Sequence, residues 1–137
     1  MEIFFHNEDV KIEVKEKERI RKWIENTIKK EGKKGETINV ILTSNSNMLS
    51  LNKKYLKRNY ITDIIAFNYN RENIISGDLF LNPDTIKRNA KKYKTKLTEE
   101  IKRVIIHGVL HLIGYDDKKE EEKKVIREKE NFYLDRF

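Results

Sequence analysis

The 137-residue chain holds three histidines, and two of them, His107 and His111, stand four residues apart. On a helix that spacing puts both imidazoles on one face, one turn apart, where both can reach a single metal ion. Gly114 follows His111 by three residues, and Asp117 follows Gly114 by three. A glycine there permits the left-handed turn that ends a helix and sends the chain back past the histidines. Asp117 then supplies a third ligand, with the neighbouring Asp116 its rival for that place. Two neutral imidazoles and a carboxylate suit zinc or another borderline divalent ion, with a fourth position left for water. Three protein ligands mark a catalytic site, whereas structural zinc sites close with four. Zinc lowers the pKa of its bound water to about 7, which supplies hydroxide at neutral pH. The competing reading makes His107 and His111 core-edge residues with local hydrogen bonds. The glycine and the carboxylate at these offsets weigh against it.

Zinc proteases of the H-E-x-x-H type carry a glutamate base directly after the first histidine. Here that residue is Gly108. A protease or amidohydrolase therefore lacks its proton acceptor. The remaining options are water activated by the metal alone, or a nucleophile brought by the substrate, as an RNA 2′-hydroxyl can be.

The residues around the pair predict what positions it. Thr98-Glu99-Glu100 opens a helix that runs to about Ile113, with Ile101, Val104 and Ile105 on its buried stripe. An earlier helix spans Glu16 to about Lys30, with Ile20, Trp23, Ile24, Thr27 and Ile28 in one stripe and Gly32 and Gly35 ending it. Ser44 to Lys57 reads as a helix with Met48, Leu51 and Tyr55 on one side. Asn82-Pro83-Asp84 starts another, with Ile86, Ala90 and Tyr93 inward. A last amphipathic helix covers roughly Lys118 to Leu134. Strands are expected at Ile3–Phe5, Val10–Val14, Ile38–Leu42, Ile64–Tyr69 and Ile74–Leu81, the last two as a hairpin around Asn70–Asn73. Strand, helix and strand from 38 to 67 suggest a parallel crossover. The expected class is α+β, a single domain over 1–137, with a small mixed sheet of about four strands against about five helices.

Composition narrows the function. With no cysteine, disulfides, thiolate metal sites and cysteine nucleophiles are excluded. No apolar run approaches the roughly 20 residues of a membrane span, and no signal peptide is visible. A cytoplasmic protein without a membrane partner is expected. Charged residues make up 39% of the chain, and its net charge is +7. Residues 51–97 carry 11 basic and 4 acidic groups, and the flanking thirds nearly balance. A localised positive region favours polyanions such as nucleic acid; the competing reading is a solvated helix face.

The chain resembles the YbeY family of bacterial endoribonucleases and rRNA maturation factors. The family pattern H-G-x-L-H-L-x-G-Y-D-H stands here as His107-Gly108-Val109-Leu110-His111-Leu112-Ile113-Gly114-Tyr115-Asp116-Asp117, with aspartate at the last position. The family's L-N-x-x-Y matches Leu51-Asn52-Lys53-Lys54-Tyr55. Thr62-Asp63-Ile64-Ile65-Ala66-Phe67 and Gly77-Asp78 resemble two further family elements. The resemblance implies that His107, His111 and Asp117 bind one metal ion, zinc in the first instance. It implies cleavage of single-stranded RNA, processing of the 3′ end of small-subunit rRNA, work on the ribosomal small subunit and a role in ribosome quality control. The family carries arginine after its tyrosine, where this chain has Leu56. Arg58 is the candidate to take over that phosphate, as a catalytic group beside His107. Lys57, Lys53 and Lys54 complete the expected RNA contacts. Asp63 and Asp78 are candidates to line the cleft or orient ligands, with turn or capping roles favoured for both. A ribosome-binding factor with a purely structural metal is the alternative.

Overall fold

The computed structural model describes residues 1–137. In chain order the elements are β1 (Glu2–Glu8), α1 (Lys17–Lys30), β2 (Lys34–Thr43), α2 (Asn45–Leu56), β3 (Ile64–Asn68), β4 (Ile74–Leu81), α3 (Pro83–Lys92), α4 (Leu97–Ile113) and α5 (Glu120–Leu134). The strands form one mixed sheet in the order β1-β2-β4-β3. The β1–β2 and β2–β4 pairs are parallel, and β3 runs antiparallel to β4 on the edge. Val40 to Thr43 are buried without alternation, as expected where an interior strand is covered on both faces. In β4 every second residue is buried. This is the expected α+β class.

The helix with the histidines is the centre of the packing. Nine residues of α4 are buried, and it packs against β3, β4, α1, α3 and α5. Its approach to the sheet explains Gly108. A Cβ at that position would lie 2.5 Å from Ile64 Cδ1 and 2.9 Å from Leu79 Cδ2. The position where a zinc protease keeps its glutamate is pressed onto β3 and β4, so an added side chain must displace the ends of Ile64 and Leu79. Capping follows the sequence closely: the Ser44 Oγ accepts from Asn47 N–H, and the Asn82 side chain accepts from Thr85 N–H ahead of Pro83. All five stripe residues expected for α1 are buried.

Four expectations fail. Residues 10–14 form no strand. Asp9 takes a left-handed φ of 58° and turns the chain out of β1. Val14 is buried all the same, so the apolar alternation there reports burial and not ladder pairing. The crossover from 38 to 67 is not parallel, because β3 reaches the far edge of the sheet and pairs only with β4. The parallel neighbour of β2 is β4, one hairpin later. Gly35 lies within β2 rather than ending α1, which stops before Gly32 at φ 77°. Finally, Tyr55 and Tyr93 are not buried. They are 54% and 61% exposed, because Met48 and Asn52 seat α2, while Pro83, Ile86 and Ala90 seat α3.

Candidate metal centre

Helical spacing and a broken helix end bring three ligand atoms together. His107 and His111 project from the C-terminal half of α4, and their Nε2 atoms stand 3.0 Å apart. Gly114 then takes φ 127°, which strains any side-chain-bearing residue, and its N–H closes the helix on Leu110 and His111 carbonyls. The returning chain sets Asp117 Oδ2 at 3.3 Å from each Nε2. In a tetrahedral zinc site with bonds of about 2.0–2.1 Å, neighbouring ligand atoms stand about 3.3 Å apart. The triangle therefore fits one such ion, and these residues form a group able to hold a metal. Asp116 faces a different depression, shared with Tyr115, Glu121 and Glu122.

Behind His107 lies a residue that the sequence reading missed. Glu130 of α5 is buried, and its Oε2 stands 2.6 Å from His107 Nδ1. Its Oε1 accepts from Arg103 Nη1 at 3.0 Å. With Nδ1–H donating to Glu130, the Nε2 lone pair is left facing Asp117 and His111. Burial by itself would lower the His107 pKa, but the hydrogen bond and charge of Glu130 reverse that and raise it. Burial would likewise raise Glu130, and His107 with Arg103 holds it below the usual carboxylate range. A signal for Glu130 was present in the sequence. It sits four residues after Ile126 and three before Tyr133, on the apolar stripe of α5, where a carboxylate needs a partner.

A second, half-buried carboxylate ties the same loop from the other side. Glu31, just past α1, accepts hydrogen bonds from the Tyr115 and Tyr133 hydroxyls and from Lys129 Nζ at 3.1 Å. Burial opposes its ionisation, and these three donors more than offset it, so its pKa is lowered. Tyr115 lies two residues before Asp117, and Lys129 adjoins Glu130. One carboxylate thus joins α1, the ligand loop and the helix that orients His107. No periodicity pointed to Glu31, because it stands beyond the helix end.

The Glu130 arrangement leads to a prediction. Glu130→Gln should weaken metal binding about 10–100-fold, the usual cost of losing an outer partner of a ligating histidine. Chelator competition measures it. In the metal-free protein the variant should also lose a pH-dependent stability. The raised His107 pKa stabilises fully below the ordinary histidine value of 6.5 and fades as pH rises through the folded value. The lowered Glu130 pKa stabilises above 4.5 and fades as pH falls. The wild-type advantage over Glu130→Gln should therefore peak between those two values. An advantage flat with pH in urea titrations would contradict this.

Two cavities meet at the triangle. One, of about 570 Å³, is lined by Asn89, Tyr93, Arg103, Lys124 and Arg127 as well as by His107 and Asp117 of the centre. The other, of about 400 Å³, is lined by Leu56, Arg58, Thr62 and Ile64. Asp63, His107 and Asp117 line both. Arg58 is thus brought to the centre, and Asp63 as well. Asp78 is not: it accepts from Asn39 Nδ2 at 3.0 Å within the sheet. Lys53, Lys54 and Lys57 are exposed on and after α2 and line neither cavity. The cleft's charge also departs from the count along the chain. Of the basic residues of 51–97, only Arg58 lines either of these cavities; Arg103, Lys123, Lys124 and Arg127 of α4 and α5 supply the other cations. Asp63, Glu100, Asp117, Glu120 and Glu130 line the cavities with them, so the cleft carries as many carboxylates as cations. Trp23 is buried and donates from Nε1 to the Tyr133 carbonyl at 2.7 Å, a core role.

Comparison with known proteins shows what the whole chain is similar to. The family model described as Endoribonuclease YbeY matches residues 2–137. A protein of Parabacteroides distasonis named Endoribonuclease YbeY is 40% identical over 131 residues, spanning 96% of this chain and 92% of that one. A Karelsulcia muelleri protein of the same name is 44% identical over 113 residues, 82% of this chain and 80% of its own. A solution structure from Thermotoga maritima superposes with a TM-score of 0.67 at 28% identity, covering 96% of this chain and 86% of that one.

Proposed function

Given that the chain belongs to the YbeY endoribonuclease family, we propose that it cuts single-stranded RNA in a metal-dependent reaction, with zinc the first candidate ion. The substrate we assign is the 3′ end of small-subunit rRNA, met on the ribosomal small subunit in the cytoplasm, with a further role in ribosome quality control. The observation that carries this reading is the triangle of His107 Nε2, His111 Nε2 and Asp117 Oδ2, with edges of 3.0 to 3.3 Å. It opens onto two cavities rather than being closed by a fourth protein ligand.

A bound divalent ion would supply a water of lowered pKa and a positive charge near the scissile phosphate. The protein's own groups do the rest. His107, His111 and Asp117 hold the ion. Glu130 holds the Nδ1 proton of His107 and so keeps Nε2 turned to the ligand triangle. Arg58, in the cavity on the β3 side, holds a phosphate oxygen and stabilises the charge that develops there. Asp117 adds a negative charge where the family has histidine, which makes the site a little less electrophilic. Lys53, Lys54 and Lys57, exposed beside Arg58 in sequence, belong to the approach of the strand and not to the reacting centre.

The test is cleavage of a labelled single-stranded fragment of the rRNA 3′ end before and after chelation. Stripped protein should lose activity and regain it on adding back zinc. Equal cleavage by stripped protein would overturn metal dependence. RNA bound but never cut, with metal present, would leave the ribosome-binding factor.

A further inference from the structure

The positive excess of residues 51–97 does not fill the cleft, and its largest part lies on α3. Lys87, Arg88, Lys91 and Lys92 are exposed there, and Lys94 and Lys96 follow directly. None of these six makes an ion pair with a carboxylate, while Arg71 of the same third does. Helices usually relieve such crowding with acids one turn away. In α3 the one acid, Asp84, stands a turn before Arg88 yet accepts from Asn45 Nδ2 and pairs with no cation, so the cations are left for a partner.

The helix is also continuous with the metal centre. Asn89 and Tyr93, one turn apart, line the same cavity as His107 and Asp117. Arg88 and Lys92 sit beside them on the helix, one position toward solvent. Tyr93 is 61% exposed, although Ile86 and Ala90 of the same helix are buried. The Tyr93 ring lies in solvent at the mouth of the cleft with Lys92 Nζ over it, 5.4 Å from its centre. An exposed ring beside cations that pair with no carboxylate suits a stacked base followed by a phosphate backbone.

We propose that α3 is the track on which single-stranded RNA leaves the metal centre, with Tyr93 stacking a base at the cavity mouth and Arg88, Lys91 and Lys92 neutralising the phosphates beyond it. The assignment rests on the ribonuclease reading for its ligand, and it assigns the strand to a face other than Arg58 and the α2 lysines.

The experiment measures binding apart from cleavage. Anisotropy of a labelled 20-nucleotide single strand is followed across a salt series, using full-length protein. For a single strand the salt slope falls by about 0.7 for each neutralised phosphate. The triple variant Arg88→Ala, Lys91→Ala, Lys92→Ala should therefore lower the slope by about 2. The charge-keeping triple Arg88→Lys, Lys91→Arg, Lys92→Arg should restore it, which separates charge from any change in folding. Tyr93→Ala should weaken binding about tenfold, within the range of one lost stacking contact, and Tyr93→Phe should recover it. A triple alanine variant with the wild-type slope overturns the track even if RNA is cut normally. A wild type that binds but never cuts overturns the ribonuclease reading, while the slope still decides the track. A wild type that neither binds nor cuts overturns both.

Discussion

Replacing His111 with alanine should reduce RNA cleavage to background while leaving the protein folded. His111 supplies one of three ligand atoms. Its side chain is a quarter exposed, and its polar contacts are only to His107 and Asp117. Truncation therefore removes little apolar packing, and a stability cost within about 1 kcal/mol is expected for the metal-free protein. The chemical cost is larger. A loss of about 4 kcal/mol of electrostatic stabilisation in the transition state is about a thousandfold in rate. The readout is cleavage by wild type and variant purified identically, because a contaminating ribonuclease is the obvious artefact. Equal rates would mean contamination and would end the case for this site. A second readout needs no RNA. Zinc at a thousand times its Kd stabilises a binding-competent protein by about 4 kcal/mol. Wild type should show that rise in thermal midpoint, and His111→Ala should lose most of it.

Gly108→Glu should prevent folding. The change writes the zinc-protease motif into this helix, so sequence alone presents it as a gain of catalytic base. Packing gives the opposite result. The new Cβ would stand 2.5 Å from Ile64 Cδ1 and 2.9 Å from Leu79 Cδ2, in the layer between α4 and the sheet. Overpacking a core costs about 1–3 kcal/mol, and a buried carboxylate without a partner costs several more. The total reaches the lower end of a domain's whole stability, about 5 kcal/mol. Gly108→Ala separates the two terms. Its gain in helix propensity, about 1 kcal/mol, partly offsets the clash, because both neighbours are ends of flexible side chains. It should fold with a loss of no more than about 2 kcal/mol. Urea midpoints decide: Gly108→Glu with the wild-type midpoint would show that α4 stands further from the sheet than described.

What this sequence determined by itself was everything carried by short spacing. The i,i+4 histidines, the glycine three residues later and the aspartate three beyond that are separated by less than three helical turns, so local geometry alone brings them together. The α1 stripe and the caps at Ser44 and Asn82 were legible for the same reason. What needed the tertiary structure was every pairing between distant segments. Glu130 reaches His107 across 23 residues, and Tyr115 reaches Glu31 across 84. Apolar alternation at 10–14 and the crossover after β2 misled, because periodicity tells which side of a segment is buried and not what lies against it. Tyr93 shows this most plainly. It follows the apolar stripe of α3 in sequence, yet the helix ends as it arrives and no element covers it. Charge behaved likewise: the count along the chain found the excess, and only the packing of α4 and α5 decided which cations face the metal centre.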